Sequence, residues 1–219
     1  MHIIALSDIH SNLPALEAVI DDMPEADAMV CAGDVIGYYT WPRACVEFVM
    51  ERSIPTVMGN HDRELVRDTP FRFHGSARAG IEFARAELGD RHREWLASLP
   101  DDRVEFDGLV RIVHGHPRNP DRYTYPEEVT PEIFDDEPIL VLGHTHVQFH
   151  RRFDEGLVVN PGSVGQPRDG DPRASYAVID TESMTVEEHR VEYDIGRTQR
   201  AIREHGLPTS LAERLAEGR

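Results

Sequence analysis

Five short stretches of the chain carry side chains that bind metal ions readily, and each stretch follows an apolar run. They read SDIH, AGDV, MGNHD, VHGH and LGHTH, and their candidate ligands are Asp8, His10, Asp34, Asn60, His114, His144 and His146. Carboxylate oxygen, amide oxygen and imidazole nitrogen together suit Mn, Fe, Zn, Co or Ni and suit copper(I) poorly. Seven ligands are too many for one such ion. If one carboxylate bridges, the ligand contacts divide evenly between two ions, which predicts a two-metal site.

The stretch GHTHVQFH raises the question of how two histidines one residue apart could serve one site. Alternate positions on a strand point to opposite faces, so a regular strand would turn His144 and His146 away from each other. Residues 138–142 read as a short buried strand, and Gly143 is expected to end it. The two histidines are therefore predicted to lie in a loop at a strand end, where ligand sites occur in α/β sheets.

Each of these stretches alone has a purely structural interpretation. A D-x-H triplet occurs by chance, a G-D pair is common in turns, and a single histidine is more often a core or surface residue than a ligand. The prediction of a metal site therefore rests on the order and placement of all five stretches together.

Alternating elements place these stretches at strand ends. The elements predicted for the first half are strands over 2–8, 27–34 and 54–60 and helices over 11–23, 43–52, 76–88 and 90–99. The β-α-β-α-β order indicates a mainly parallel sheet. In the second half, Asp107-Gly108 predicts a hairpin, and five more strands follow before a helical tail at about 194–219. We expect a single α/β domain over residues 1–219, with two sheets packed face to face and helices outside.

The chain is strongly acidic, since 40 acidic residues against 23 basic ones give a formal net charge of -17, and it contains no lysine. Such a field repels a polyphosphate backbone, which argues against a broad nucleic-acid-binding surface. The first residues leave no room for a signal peptide, and no apolar run approaches membrane-spanning length, so we expect a cytoplasmic protein without a membrane partner. Cys31 and Cys45 lie in apolar surroundings and are expected to be buried thiols rather than a disulfide.

The motif order D-x-H, G-D, G-N-H-D, H and G-H-x-H resembles that of the calcineurin-like metallophosphoesterases. The strings SDIHSNLPALEAV, GNHD and NPGSVGQPRDG further resemble the compact prokaryotic branch of the family, which is labelled phosphodiesterase or diadenosine tetraphosphatase-like. By motif, the resemblance spans Asp8 to His146. It implies a four-layer α/β/β/α sandwich of two mixed β-sheets flanked by helices, which is compatible with the pattern of elements.

The resemblance also implies a role for each motif residue. One divalent ion would be held by Asp8, His10 and His146, the other by Asn60, His114 and His144, with Asp34 bridging them. The non-ligand histidine that acts at the leaving group would be His61. The predicted substrate contacts are Asn60, His61 and His116. Manganese is the favoured metal, with Fe, Ni, Co and Zn as alternatives.

The implied reaction is hydrolysis of a phosphate ester or anhydride by a hydroxide held between two metal ions. We favour a phosphodiester. The substrate is expected to be small, with a nucleotide as one option, and a homo-oligomer is left open. The alternatives are a non-catalytic scaffold and a regulatory nucleotide-binding module of the same fold. The complete ligand set, together with His61, favours the enzyme.

One position departs from the family pattern. Many members carry an acidic residue three positions after the bridging aspartate, where it orients the non-ligand histidine, but Gly37 stands there in this chain. Asp62 is adjacent to His61 in sequence, which does not ensure that it points toward the ring. The stretch NPGSVGQPRDG either approaches the site or forms a tight structural loop. Further candidates for the substrate pocket are Asn12, Tyr38, Tyr39, Arg118 and Tyr123.

The charge leads to a prediction about salt. We expect the melting temperature to rise from low salt to molar KCl, well beyond physiological ionic strength, because molar salt shortens the Debye length to ~3 Å and screens the repulsion among the acidic residues. Thermal melting across a KCl series measures this. A melting temperature that stays flat or falls over the series would remove the hypothesis of a salt-loving source.

Overall fold

The computed structural model describes residues 1–67 and 73–219. Its strands are β1 (His2–Leu6), β2 (Ala28–Cys31), β3 (Asp102–Glu105), β4 (Val110–Val113), β5 (Ile139–Val141), β6 (Gln148–Arg152), β7 (Leu157–Pro161), β8 (Ala174–Asp180) and β9 (Thr185–Val191). Its helices are α1 (Leu13–Asp22), α2 (Pro42–Glu51), α3 (Asn60–Val66), α4 (Gly75–Glu87), α5 (Asp90–Ala97), α6 (Ile195–Glu204) and α7 (Thr209–Glu217).

The strands form two mixed sheets with flanking helices, as the sequence predicts. The first sheet has the order β2-β1-β8-β9, in which β1 and β2 are parallel while β8 runs antiparallel to both of its neighbours. The second has the order β3-β4-β5-β7-β6, with β4, β5 and β7 parallel and an antiparallel strand at each edge. The β3–β4 pair is the hairpin predicted from Asp107-Gly108.

Side-chain alternation along the strands assigns each residue to one of two apolar layers. On β1, Ile3 and Ala5 face the second sheet and join a buried cluster that includes Ile112 of β4 and Val159 of β7. The intervening residues of β1 pack instead among α1, α2 and α4. The first sheet is therefore covered on both faces, by helices on one side and by the other sheet on the other.

The outer face of the second sheet has a thin cover. Leu140 and Val158 pack there against Ile133 and Phe134, which belong to a segment with two 3₁₀ turns at Pro126–Glu128 and Pro131–Ile133. Prolines at 126, 131 and 138 stand too close together for an α-helix to continue between them. The fourth layer of the expected sandwich thus consists of short turns within the described residues.

The prediction of a strand over residues 54–60 is wrong. Thr56 makes only an isolated parallel bridge to Cys31, and the Met58 amide donates to the Pro100 carbonyl instead of to a neighbouring strand. Residue 60 begins helix α3, which the sequence did not predict. This helix starts because the Asp62 carboxylate accepts a hydrogen bond from the Gly59 amide at 3.1 Å and so caps the first turn.

The two helices predicted for the tail are present as α6 and α7. They pack in a buried cluster with Tyr38 and Tyr39, and the Thr198 hydroxyl of α6 donates to the Asn12 side chain at 2.9 Å. Both cysteines are buried and unbonded, as expected. Across the described part of the chain, no helix has both the length and the apolar character needed to cross a membrane.

Gly80 allows helix α4 to approach the loop after β2. A Cβ at Gly80 would lie 2.3 Å from the Tyr38 backbone nitrogen. We expect Gly80→Ala to lower stability by about 1–3 kcal/mol through overpacking, despite the better helix propensity of alanine. Gly196 in α6 is the matched control, because its Cβ would meet only the ends of two side chains at 3.1 and 3.2 Å. Urea unfolding of both variants tests this, and an equal gain in stability for the two would contradict the steric argument.

Candidate metal centre

The structure brings the predicted ligands together in two buried clusters that share Asp34. Asp8, His10, Asp34 and His146 form the first cluster, and Asp34, His114 and His144 form the second. Within each cluster, one potential donor atom per residue lies within 4.8 Å of the others. Asn60 adjoins the second cluster, with its Oδ1 atom 2.9 Å from His114 Nε2.

The ligands come from loops at the carboxyl ends of strands. Asp8 follows β1 and Asp34 follows β2, while His114 follows β4 and the histidine pair follows β5. The first two strands belong to one sheet and the last two to the other. The centre therefore lies where the ends of both sheets meet, in the position that parallel strands provide for ligands.

Left-handed backbone conformations aim the side chains. The φ angles are 53° at Asp8, 50° at His10, 53° at Asp34, 68° at His144 and 59° at His146. Such conformations cost an L residue on the order of 1–3 kcal/mol and persist where the surroundings enforce them. They also show how both histidines of GHTH can turn inward, since neither lies in a regular strand. The loop predicted for this pair is confirmed.

Backbone carbonyls fix the tautomers of three histidines. The Nδ1 atoms of His10, His114 and His146 donate to main-chain oxygens, so that Nε2 is in each ring the atom that could bind a metal ion. The respective acceptors are Ile36 at 3.1 Å, Ala32 at 2.7 Å and Gln166 at 2.5 Å. On His144, Nε2 contacts the Asp121 carbonyl at 3.3 Å, so that Nδ1 is the atom left for a ligand.

The donor atoms of the first cluster fit a divalent cation. The Nε2 atoms of His10 and His146 lie 3.1 Å apart, and both carry electron pairs. The buried Asp8 Oδ1 atom accepts no hydrogen bond from the described residues and lies 3.1 Å from His146 Nε2. Lone pairs and a carboxylate oxygen that face one another repel, and a cation among them removes the repulsion.

Asp34 stands between the two clusters. Its Oδ2 atom lies 3.7 Å from His10 Nε2 and 3.4 Å from His114 Nε2, and its Oδ1 atom accepts the His61 backbone amide at 2.8 Å. One oxygen therefore faces both sites while the other anchors helix α3. This is the arrangement that a bridging carboxylate requires.

The electrostatics of the centre favour the ligand forms of Asp34, His144 and His146. Burial opposes ionisation of Asp34, but His114 and His61 outweigh it and hold its pKa well below the usual value. Burial lowers the pKa of His144 to about 4 and that of His146 to about 3, so both rings are neutral. Burial also disfavours a charged His114, but the Asp34 carboxylate raises that pKa to about 9. The field that attracts this proton also attracts a metal cation.

The stretch NPGSVGQPRDG holds the centre from one side. The Ser163 hydroxyl donates to the Asp8 carbonyl at 2.7 Å, and the Gly165 amide donates to the same oxygen at 2.9 Å. The Gln166 carbonyl accepts from His146, and the Arg168 amide donates back to the His146 carbonyl at 3.1 Å. These groups serve protein contacts, so the stretch is both a structural loop and part of the rim.

Aromatic packing holds the His61 ring. It lies between the rings of Tyr38 and Phe73, with centroid distances of 4.6 and 4.8 Å. Its Nδ1 atom is buried without a hydrogen-bond partner among the described residues, and a Cβ at Gly37 would lie 2.6 Å from it. Asp62 points elsewhere, because its carboxylate accepts the amides of Val35 and Ile36. Burial lowers the pKa of His61 well below its usual value.

The remaining candidates divide into structural and rim residues. His116 lies outside both clusters, and its Nδ1 atom accepts the Arg118 amide at 3.1 Å within a turn. Asn12 and Tyr39 are buried and hydrogen-bonded to the protein. Tyr123 stacks on the His144 ring at 3.9 Å. The histidines not expected to be ligands, which also lie outside the two clusters, are His2, His74, His92, His150, His189 and His205.

A cavity of about 200 Å³ opens beside the second cluster. Asn60 and His144 line the cavity on the side of the cluster, and Phe73 and Tyr123 contribute aromatic rings to its lining. Arg63 and Asp121, which pair with each other, also line it. Sequence reasoning did not identify Phe73 or Arg63, because neither belongs to a motif.

The comparisons with known proteins agree with this geometry. The model of the calcineurin-like phosphoesterase superfamily domain matches residues 1–184, and the chain belongs to this family. A solved metallophosphoesterase from Sphaerobacter thermophilus is 38% identical, with a TM-score of 0.87 over 100% of this chain and 99% of that one. The uncharacterized protein MJ0912 of Methanocaldococcus jannaschii is 32% identical over 99% of this chain and 98% of its own length. Phosphodiesterase YfcE of Escherichia coli K12 is 27% identical over 85% of this chain and 91% of its own. The family predicted from the motifs is thereby confirmed.

The shared position of Asp34 leads to a prediction about metal content. Asp34→Asn is expected to lower the occupancy of both sites, whereas His146→Ala is expected to empty chiefly the first, because only Asp34 faces both clusters. Elemental analysis and anomalous scattering measure the two occupancies. The exposed His150, which pairs with Glu188, is the control position for a histidine-to-alanine change. An Asp34→Asn protein with two fully occupied sites would contradict the bridging assignment.

Proposed function

We propose that this protein is a two-metal-dependent phosphoesterase that hydrolyses phosphodiesters. The observation that carries the proposal is the pair of buried clusters joined by Asp34. Membership of the calcineurin-like family supports a hydrolase, and the name of the relative YfcE supports phosphodiesters as the class of substrate.

In this proposal the ligands divide as the motifs imply. Asp8, His10 and His146 hold one ion, Asn60, His114 and His144 hold the other, and Asp34 contacts both. Manganese suits the mixed oxygen and nitrogen ligands. The two ions, when bound, would supply Lewis acidity that lowers the pKa of the attacking water and neutralises charge on the phosphoryl oxygens.

His61 acts at the leaving group. Its backbone amide donates to Asp34, which keeps the residue at the junction of the two clusters. Its Nδ1 atom is enclosed beside Gly37 without an acceptor among the described residues, and in this proposal the neutral ring carries its proton on Nε2. From the neutral ring the Nε2–H group stabilises the departing oxygen through a hydrogen bond, and transfer of the proton requires the imidazolium form, because a neutral ring would become an imidazolate. In this proposal the tilted Tyr38 ring and the stacked Phe73 ring orient His61, which a carboxylate does in many members of the family.

The cavity beside Asn60 and His144 supports a diester. A phosphodiester carries a second organic group that must be accommodated near the phosphorus. A cavity of about 200 Å³ with aromatic walls has room for such a group next to the second cluster. A nucleoside is one group of suitable shape, since flat bases stack on aromatic side chains.

A non-catalytic scaffold or a regulatory nucleotide-binding module remains the competing function. The complete set of ligands and the oriented His61 ring favour an enzyme. Metal-dependent release of nitrophenolate from bis(p-nitrophenyl) phosphate distinguishes the enzyme from both alternatives. Protein that contains two ions and releases no nitrophenolate would contradict the proposal.

His61 provides the sharper test of mechanism. His61→Gln is expected to retain both ions yet slow turnover by on the order of 10²-fold or more, the usual contribution of general acid catalysis. The loss should grow with the pKa of the leaving group, because an alkoxide needs a proton and a nitrophenolate departs with little help. Single-turnover rates for a series of aryl and alkyl phosphodiesters measure this dependence.

The exposed His150→Gln variant is the control for the His61 series, with metal content checked in every protein. It is expected to follow the wild type across all leaving groups. Equal rates for His61→Gln and wild type at full metal occupancy would mean that His61 takes no part in the chemical step.

A further inference from the structure

The Arg168 side chain is a cation with neutral partners beside the metal centre. Its Nη2 atom donates to the Tyr38 hydroxyl at 3.0 Å and to Gln166 Oε1 at 2.9 Å, and its Nε atom contacts the same amide oxygen at 3.3 Å. Within residues 1–67 and 73–219 its guanidinium forms no ion pair with a carboxylate, and a hydrogen bond to the Tyr123 side chain adds a third neutral partner.

The acidic residues next to Arg168 are paired with other arginines. Asp169 binds Arg190, and Asp171 binds Arg173. In a chain with 40 acidic and 23 basic residues, a half-buried arginine is expected to find a carboxylate. The fold instead surrounds Arg168 with phenol and amide groups, which hold the guanidinium without cancelling its charge.

Arg168 is also directed toward the centre. Its backbone amide donates to the His146 carbonyl at 3.1 Å. Its guanidinium lies 5.8 Å from the centroid of the Tyr38 ring, and that ring is in turn 4.7 Å from His10 and 4.6 Å from His61. The positive charge contributes to the lowered pKa of both His61 and His146, after burial, which is the larger cause.

We propose that Arg168 binds a non-bridging phosphoryl oxygen of the substrate. The proposal rests on the function proposed above and adds a substrate-binding residue to it. The planar guanidinium presents donors in a fork that matches phosphate oxygens, and its partners Tyr38, Gln166 and Tyr123 are all neutral. Gln166 in turn donates to the Tyr39 hydroxyl at 3.0 Å, so the amide oxygen that holds Arg168 is itself fixed.

The test compares Arg168→Met and Arg168→Lys with the wild type. Arg168→Met is expected to raise the KM for bis(p-nitrophenyl) phosphate and the Kd for inorganic phosphate by about 10- to 100-fold, the usual value of a hydrogen bond to a charged group. The change in kcat should be smaller, and metal content should be unchanged. Arg168→Lys keeps the charge without the fork and should lie between the two proteins. Isothermal titration of metal-loaded protein with inorganic phosphate gives the Kd independently of turnover.

Arg173→Met is the matched control, since Arg173 lies in the same loop, is exposed and pairs with Asp171. It should leave KM, kcat and the phosphate Kd unchanged. If Arg168→Met fails to fold, Tyr38→Phe carries the test, because it removes one acceptor that holds the guanidinium and should weaken phosphate binding in the same direction.

The outcomes separate this inference from the proposed function. Wild-type values of KM and phosphate Kd in Arg168→Met with full metal content would overturn the role of Arg168 while leaving the phosphoesterase intact. A wild type that hydrolyses no diester, but binds phosphate more tightly than Arg168→Met does, would overturn the proposed function and support the phosphate contact.

Discussion

The buried carboxylate of Asp34, held between imidazoles from both sheets, is the interaction on which the rest of the centre depends. An isolated buried charge costs several kcal/mol, so the surroundings must stabilise it. The His61 amide donates to one oxygen, and the other faces His10 and His114. A Cβ on Gly59 would lie 2.0 Å from the Asp34 carboxylate, so only glycine permits helix α3 to begin this close. The same electrostatics that require compensation for Asp34 make the position a cation site.

The strained loops that carry the cluster residues are stabilised by hydrogen bonds between neighbouring loops. The Asp8 amide donates to the Gly33 carbonyl and the His10 amide to the Asp34 carbonyl, each at 3.0 Å, which ties the loop after β1 to the loop after β2. In the second sheet, the Gly143 amide donates to the His114 carbonyl at 2.8 Å. The centre is therefore assembled from both sheets at once. Bound metal would link the sheets further and add its binding free energy to the stability of the fold.

The residues of the two clusters could be predicted from the sequence because metal chemistry restricts residue types, and because apolar runs mark where strands end. Strand alternation predicted that His144 and His146 lie in a loop, and both residues adopt left-handed conformations there. The strand prediction over 54–60 failed because the β-branched residues there pack in a buried, irregular segment that makes a single bridge. The direction of Asp62 could not be predicted either, since its hydrogen-bond acceptance depends on amides 26 and 27 positions away. Arg168 lies outside the ligand motifs, and only the folded structure reveals that it has no carboxylate partner among the described residues.

The surface charge and the proposed metal centre have opposite effects on an anionic substrate. A net charge of -17 repels an anionic phosphodiester at long range, whereas the centre must attract it at short range. In the proposed centre, two divalent ions would exceed the charge of the two carboxylates, Asp8 and Asp34, and Arg168 adds a further positive group. Salt acts unequally on these two fields, because it screens charges separated by more than a Debye length and screens buried contacts much less. In concentrated salt the repulsive field therefore fades while the attraction within the centre remains, and an acidic surface becomes compatible with an anionic substrate.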